Sequence, residues 1–275
     1  MEYLELTITG FDAEQADLLT AALMELGYDS FSEEEGVYRA YVPAELYHEQ
    51  KLSGLLETLF EGRGVRFTAT RLEEKNWNEE WEKNYEPVVI GDRCLVRAPF
   101  HPPVPGIVYD LVIEPKMSFG TAHHETTSLM IGWMLDEPVT GKHLLDMGCG
   151  TGVLAILAAK MGAKEVRAVD SDPWAFENAI ENCGRNNVPQ VHVIHGDEGA
   201  IPSGPFDVIF ANINRNILLV QIPTYARVIR AGGCLYMSGF YGEDLAAIRE
   251  KAHEFGFLFE SSRSKNKWMA AKFTR

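Results

Sequence analysis

A strand that runs straight into alternating glycines and then into a helix can be built in very few folds. Leu144-Leu145-Asp146-Met147-Gly148-Cys149-Gly150-Thr151-Gly152 has that form, and Val153 to Lys160 reads as the helix behind it. Glycine tolerates backbone conformations that a Cβ forbids and lets main chain approach a ligand closely. The helix brings unpaired N–H groups and the positive end of its dipole to the same spot. Such a turn belongs at the C-terminal edge of a parallel sheet, where α/β folds hold nucleotides and cofactors.

The spacing narrows the ligand. A dinucleotide fingerprint, Gly-x-Gly-x-x-Gly, needs glycine at 153, where the chain has Val153, and no phosphate-loop run ending in Gly-Lys-Ser/Thr occurs. Acids stand at two strand tips. Asp146 precedes the glycines and suits a cationic group such as an amino-acid ammonium; Asp170 ends a strand from Glu165 to Val169 and suits ribose hydroxyls. Together with Val169-Asp170-Ser171-Asp172-Pro173, the Asp-x-Gly-x-Gly-x-Gly run resembles the class I S-adenosylmethionine methyltransferases. The resemblance implies Gly148, Gly150 and Gly152 around the cofactor and Asp170 on its ribose.

A third strand, Gln190 to Ile194, leads into His195-Gly196-Asp197. The superfamily implies an acid here on the adenine amino group, with Asp197 the candidate and Glu198 the alternative. A fourth strand, Phe206 to Ala211, leads into Asn212-Ile213-Asn214. Amino-directed methyltransferases carry Asn or Asp at the first of these positions, and an Asn carbonyl oxygen can accept from an amine N–H. Asn212 can also cap the next helix, expected from about Asn216. The same two roles stay open for Asn214.

Periodicity organises the rest. Residues 1–72 read as βαββαβ: strands Tyr3–Thr9, Tyr28–Ser32, Val37–Val42 and Val65–Leu72, one helix capped by Asp12 and ended at Gly27, and a second from Ala44 to Phe60. That is a ferredoxin-like order. Residues 73–87 place Trp77, Trp81 and Tyr85 four apart, on one face of a linker helix. Residues 88–275 begin with strands at 88–98 and 106–114 around a proline-rich loop, and from about 122 they alternate helix with strand. The last two strands, 257–263 and 267–273, are too close for a crossover helix and must form an antiparallel edge. The expected class is α/β, a Rossmann-like methyltransferase sheet with an antiparallel last strand, preceded by a small α+β ferredoxin-like domain.

Charge is lopsided. The formal net charge is −15, and residues 1–87 hold 20 acidic and 7 basic side chains, a net of −13. An acidic front attracts cationic partners and repels phosphate backbones, so a basic protein is expected as partner, without direct nucleic-acid contact. No apolar run approaches the roughly 20 residues of a membrane span. The first residues lack a signal-peptide pattern. Cys94, Cys149, Cys183 and Cys234 show no Cys-x-x-Cys spacing, which fits a reduced, cytoplasmic protein.

The segment Phe119-Gly120-Thr121-Ala122-His123-His124-Glu125-Thr126-Thr127 narrows the family. Its histidines are adjacent rather than four apart, so no metal is expected. Thr126 or Thr127 can cap the following helix or bond a ligand carboxylate. The segment resembles the Phe-Gly-Thr-Gly-Thr-His-Pro-Thr-Thr signature of the ribosomal protein L11 methyltransferases. It departs from that signature at Ala122, His123 and Glu125, and Asn214 stands where the family commonly has Leu. The match continues through the glycine turn and Ala211-Asn212-Ile213, and in the two-domain layout.

The resemblance implies a protein N-methyltransferase acting on lysine side chains and/or the N-terminus of a large-subunit ribosomal protein. It places Thr127, Gly148, Asp170 and Asn212 on S-adenosylmethionine, with Phe119 and Gly120 in a loop closing over it. Residues 1–72 would recognise the substrate, and a monomer is expected. The alternative is a methyltransferase of another amine or amide. Glutamine-directed relatives carry Asn-Pro-Pro-Tyr where this chain has Asn212-Ile213-Asn214-Arg215, which counts against that version.

Overall fold

The computed structural model describes residues 3–11, 15–34, 37–60, 64–71, 85–116 and 119–275. The chain divides into two compact units, Met1–Asn84 and Tyr85–Arg275. Of the linker helix expected over 73–87, residues 73–84 lie outside the described residues, with Trp77 and Trp81 among them. Residues 85–87 are not helical.

The first unit runs β1 (Tyr3–Thr9), α1 (Ala16–Glu25), β2 (Ser30–Glu34), β3 (Val37–Pro43), α2 (Glu49–Phe60) and β4 (Arg66–Arg71). Its sheet order is β2-β3-β1-β4 with every pairing antiparallel, the ferredoxin-like arrangement expected. Strict alternation in β1 sends Leu4, Leu6 and Ile8 to one face, where Leu19 and Leu23 of α1 and Leu52, Leu56 and Phe60 of α2 close the core. Asp12, expected to cap α1, lies outside the described residues, and Gln15 at the cap position makes no side-chain cap bond. Helix α2 starts at Glu49 rather than Ala44, because the Leu46 N–H closes a turn onto the Pro43 carbonyl at 2.9 Å.

The second unit opens with a small sheet of β5 (Val88–Ile90), β6 (Cys94–Arg97) and β7 (Tyr109–Val112). The single strand expected over 88–98 is broken. Gly91 and Asp92 take φ of 57° and 51°, and the Arg93 N–H reaches the Ile90 carbonyl at 3.3 Å. Two left-handed residues in succession make the tight hairpin whose twist suits paired strands.

The main sheet follows: α3 (Glu125–Asp136), β8 (His143–Met147), α4 (Val153–Lys160), β9 (Glu165–Asp170), α5 (Pro173–Arg185), β10 (Val191–His195), β11 (Phe206–Asn212), α6 (Arg215–Val228), β12 (Ile229–Tyr241), α7 (Leu245–Glu254), β13 (Leu258–Lys265) and β14 (Trp268–Thr274). Strand order is β10-β9-β8-β11-β12-β14-β13, with β14 antiparallel to both neighbours. Period-two alternation fills both faces. Leu144, Val208 and Phe210 pack with α3, α4 and α5, while Leu145, Met147 and Ile209 pack with α6 and α7. The chain reverses its direction of winding at β8, which places a crevice between β8 and β11, beyond their C-terminal ends.

Candidate functional site

The glycine turn sits over that crevice. Gly148, Gly150 and Gly152 all have left-handed backbones, with φ of 69°, 55° and 79°. At two of them there is also no room for a side chain. A Cβ on Gly148 would lie 2.2 Å from Cγ2 of Ile213, and one on Gly150 would lie 2.2 Å from the Phe119 carbonyl oxygen. The turn is tied to the next strand, since the Gly148 and Cys149 N–H groups both donate to the Val169 carbonyl, at 2.8 and 3.1 Å.

Asp170 is held by main chain. Its Oδ2 accepts from the Gly150 N–H at 2.8 Å and its Oδ1 from the Asp172 N–H at 3.0 Å. Asp146 is 1% exposed, and its Oδ2 accepts from the Ala155 N–H of α4 at 3.0 Å. Burial pushes the Asp146 carboxyl up to about 7, opposed by the Ala155 bond and reinforced by the negative charge of Asp170. Among the described residues it has no cationic side chain as partner. A positive ligand group beside it would favour the ionised form.

The loop before α3 is latched to the turn. The Thr151 N–H donates to the Phe119 carbonyl at 2.9 Å, and its hydroxyl donates to the Gly120 carbonyl at 2.7 Å. Helix α3 is capped by His124, whose Nδ1 accepts from the Thr126 N–H at 3.3 Å, so neither threonine is the cap. Thr127 is buried, and its Oγ1 accepts from Asn212 Nδ2 at 3.4 Å across the crevice. The cap of α6 is Asn214, whose Oδ1 accepts from the Ile217 N–H at 3.2 Å. That leaves Asn212 without a capping duty.

These groups surround one cavity of about 1020 Å³, ample for a nucleoside with an amino-acid tail. Phe119, Gly120, Thr127, Asp146, Gly148, Gly150, Asp170, Asp197 and Asn212 all line it. Gly152 does not. It is the N-cap of α4, and the empty side of its Cα lies against Ala179 of α5, which a Cβ would meet at 3.4 Å. What requires glycine there is the left-handed φ of 79° at the N-cap, since a Cβ would find only ordinary van der Waals contact.

The cavity also gathers residues that the sequence reading missed. Trp268, at the start of β14, meets His124 edge-on with ring centroids 4.7 Å apart and lies tilted against Tyr241 at 4.4 Å. No local pattern announces it; the antiparallel hairpin carries it there. Gln221 lies on α6, spaced like any polar residue on that helix. A buried asparagine row did leave a signal, the i, i+4, i+8 spacing of Asn178, Asn182 and Asn186. Asn182 accepts from the Glu114 N–H at 2.8 Å and donates to the Thr151 carbonyl at 3.0 Å, joining the chain after β7 to the glycine turn.

The model of the family described as Ribosomal protein L11 methyltransferase (PrmA) matches residues 4–275. The chain belongs to the ribosomal protein L11 methyltransferase family. It is similar to the protein of that name from Bacteroides fragilis, 47% identical over 278 residues and covering 99% of each chain. A namesake from Chlorobaculum tepidum is 37% identical over 226 residues, 78% of each chain. Among solved structures it resembles the ribosomal protein L11 methylase of Lactobacillus delbrueckii subsp. bulgaricus, with a TM-score of 0.65 and 26% identity over 70% of this chain and 99% of that one. Family and fold make it an S-adenosylmethionine-dependent methyltransferase. The residues present fit that cofactor: glycine main chain and the acid Asp170 line the cavity, together with a buried carboxyl that has no cationic partner among the described residues.

Proposed function

We propose that this protein transfers methyl groups from S-adenosylmethionine to amino groups, lysine side chains and/or the N-terminal amine, of ribosomal protein L11. The substrate is taken from the relatives' names. The amino chemistry is supported by one observation above others: Asn212 spends an amide N–H on Thr127, which leaves its carbonyl oxygen to accept from a substrate amine.

S-adenosylmethionine supplies an electrophilic methyl group, so the chain has mainly to bind and align. Gly148 and Gly150 present bare backbone to it. Asp170 keeps lone pairs for ribose hydroxyls beyond the two N–H groups it already accepts, and Asp146 meets positive charge. Thr127 fixes the amide plane of Asn212, whose carbonyl then turns the amine lone pair toward the methyl. That amine must be neutral, and a lysine ammonium titrates near about 10.4 in water. Exclusion of water from the cavity lowers that value, and the proton leaves to solvent.

The acidic residues 1–87 gather a basic ribosomal protein without contacting nucleic acid. Among the described residues no helix is long and apolar enough to cross a membrane, and the reading is of a cytoplasmic monomer. Mass spectrometry of L11 incubated with the protein and S-adenosylmethionine tests the assignment. Methyl-mass increments on amine-bearing residues are expected. An unmodified L11, or methylation confined to amide side chains, defeats it.

A further inference from the structure

Ala122 and His123, two departures from the family signature, stand side by side in the loop before α3. Ala122 is buried with φ of 67°, a left-handed backbone that its Cβ disfavours. A residue other than glycine stays there only where its surroundings over-determine it. On the helix side the Ala122 carbonyl accepts from the Ser128 hydroxyl of α3 at 3.0 Å. Beside it is His123, which no part of the methyl-transfer argument uses.

His123 is exposed, yet both of its ring nitrogens are engaged. Nε2 lies 2.9 Å from the Glu86 carbonyl oxygen, and Nδ1 lies 3.2 Å from Thr121 Oγ1. A carbonyl only accepts, so Nε2 must carry a hydrogen. In the neutral ring Nδ1 is then left to accept from the Thr121 hydroxyl. Tyr85, the first residue of the second unit, sets its ring centroid 4.6 Å from that of His123. Tyr85 is seated in turn, stacked on His101 at 6.1 Å with 10° between the planes. His101 is itself tied down, its Nδ1 accepting from the Ala98 N–H at 3.2 Å and its carbonyl from Arg97 Nη1 at 2.7 Å.

The loop is therefore gripped twice. Thr151 holds the Phe119 and Gly120 carbonyls against the glycine turn, and His123 holds the next few residues to Glu86, where the chain enters the second unit. We infer that His123 is a positioning residue for the cofactor: it keeps Ala122 in its left-handed backbone and so keeps Phe119 and Gly120 on the cavity wall. Without the outer hold, Ala122 relaxes toward ordinary φ and swings the chain ahead of it away from Thr151. The inference rests on the reading of the cavity as the S-adenosylmethionine site.

S-adenosylhomocysteine tests it on the full chain without turnover, with calorimetry for affinity and chase of radiolabelled ligand for the dissociation rate. His123→Ala is expected to bind about tenfold more weakly, with the loss carried by faster dissociation. Its ligand-free melting point should stay within about 2 °C of wild type. His123→Gln carries an amide N–H near the place of Nε2 and should bind within about threefold of wild type. His123→Asn reaches only Thr121 and should be as weak as His123→Ala. Wild-type affinity in His123→Ala, equal affinities in His123→Gln and His123→Asn, or a loss with no change in dissociation rate overturns the inference and leaves the cavity reading intact. A wild-type protein that binds no S-adenosylhomocysteine overturns both. Should His123→Ala unfold, the contrast between His123→Gln and His123→Asn decides the matter.

Discussion

Asp146 is buried with a single N–H donor and, among the described residues, no cationic partner, and burial pushes its carboxyl up to about 7. An unfolded aspartate titrates near about 3.9. Between those values the native state holds a proton that the unfolded state has released, so stability falls as pH rises from about 4 to 7. At about 1.4 kcal/mol per unit the loss is on the order of 4 kcal/mol. Denaturant unfolding of the ligand-free protein should show that decline, and Asp146→Asn, which keeps an acceptor for Ala155, should flatten it. A wild-type profile already flat across that range contradicts the buried-acid account. Asn212 makes the companion case. Asn212→Ala should lower turnover about 100-fold through misalignment of the amine, while affinity for S-adenosylhomocysteine changes by less than about fivefold; equal losses in both would place Asn212 in cofactor binding alone. The Asn212 position was readable from its place after the fourth strand. Its freedom to act was not, because only the folded turn shows that the Asn214 side chain takes the cap.

The turn between β8 and α4 is a more demanding element than its glycine count suggests. Gly150→Ala would meet the Phe119 carbonyl and force a left-handed φ on alanine, and a cost of about 2–3 kcal/mol is expected. The same change should expel the Phe119–Gly120 loop from Thr151 and weaken S-adenosylhomocysteine at least about tenfold, read by unfolding and calorimetry together. Asn182→Ala strands the Glu114 N–H and the Thr151 carbonyl, for about 2–4 kcal/mol. Asn178→Ala, whose contact with the Glu114 carbonyl is a long 3.4 Å, should cost less than about 1 kcal/mol in the same assay. If the two variants melt alike, the row is packing rather than a hydrogen-bonded splice. Elements with a strong period were legible to within a residue or so, as at 143–147, 125–136 and 173–185. Errors fell where a turn overrode the pattern. Gly91-Asp92 broke an apolar run that reads as one strand, and Pro43 held 44–46 in a turn ahead of α2.

The whole chain carries its charge unevenly, and that has a measurable consequence. If residues 1–87 gather L11 by charge, the KM for L11 should rise at least about tenfold between 50 mM and 500 mM salt, while S-adenosylhomocysteine affinity stays nearly constant. A KM indifferent to salt removes electrostatic capture from the account. Two units, a parallel sheet closed by an antiparallel pair, and the glycine turn with its two acids were all present in the linear order of residues, because periodicity and backbone freedom are local properties. Other facts are non-local and had no local trace. Gly152 is not among the residues lining the cavity, since the path of the turn sets which glycine faces it. Trp268 reaches His124 across more than half of the second unit's sequence, and Gln221 meets Glu198 from a neighbouring helix. Side chains distant along the chain meet only when the sheet order brings their strands and helices together, and that order is a property of long-range packing.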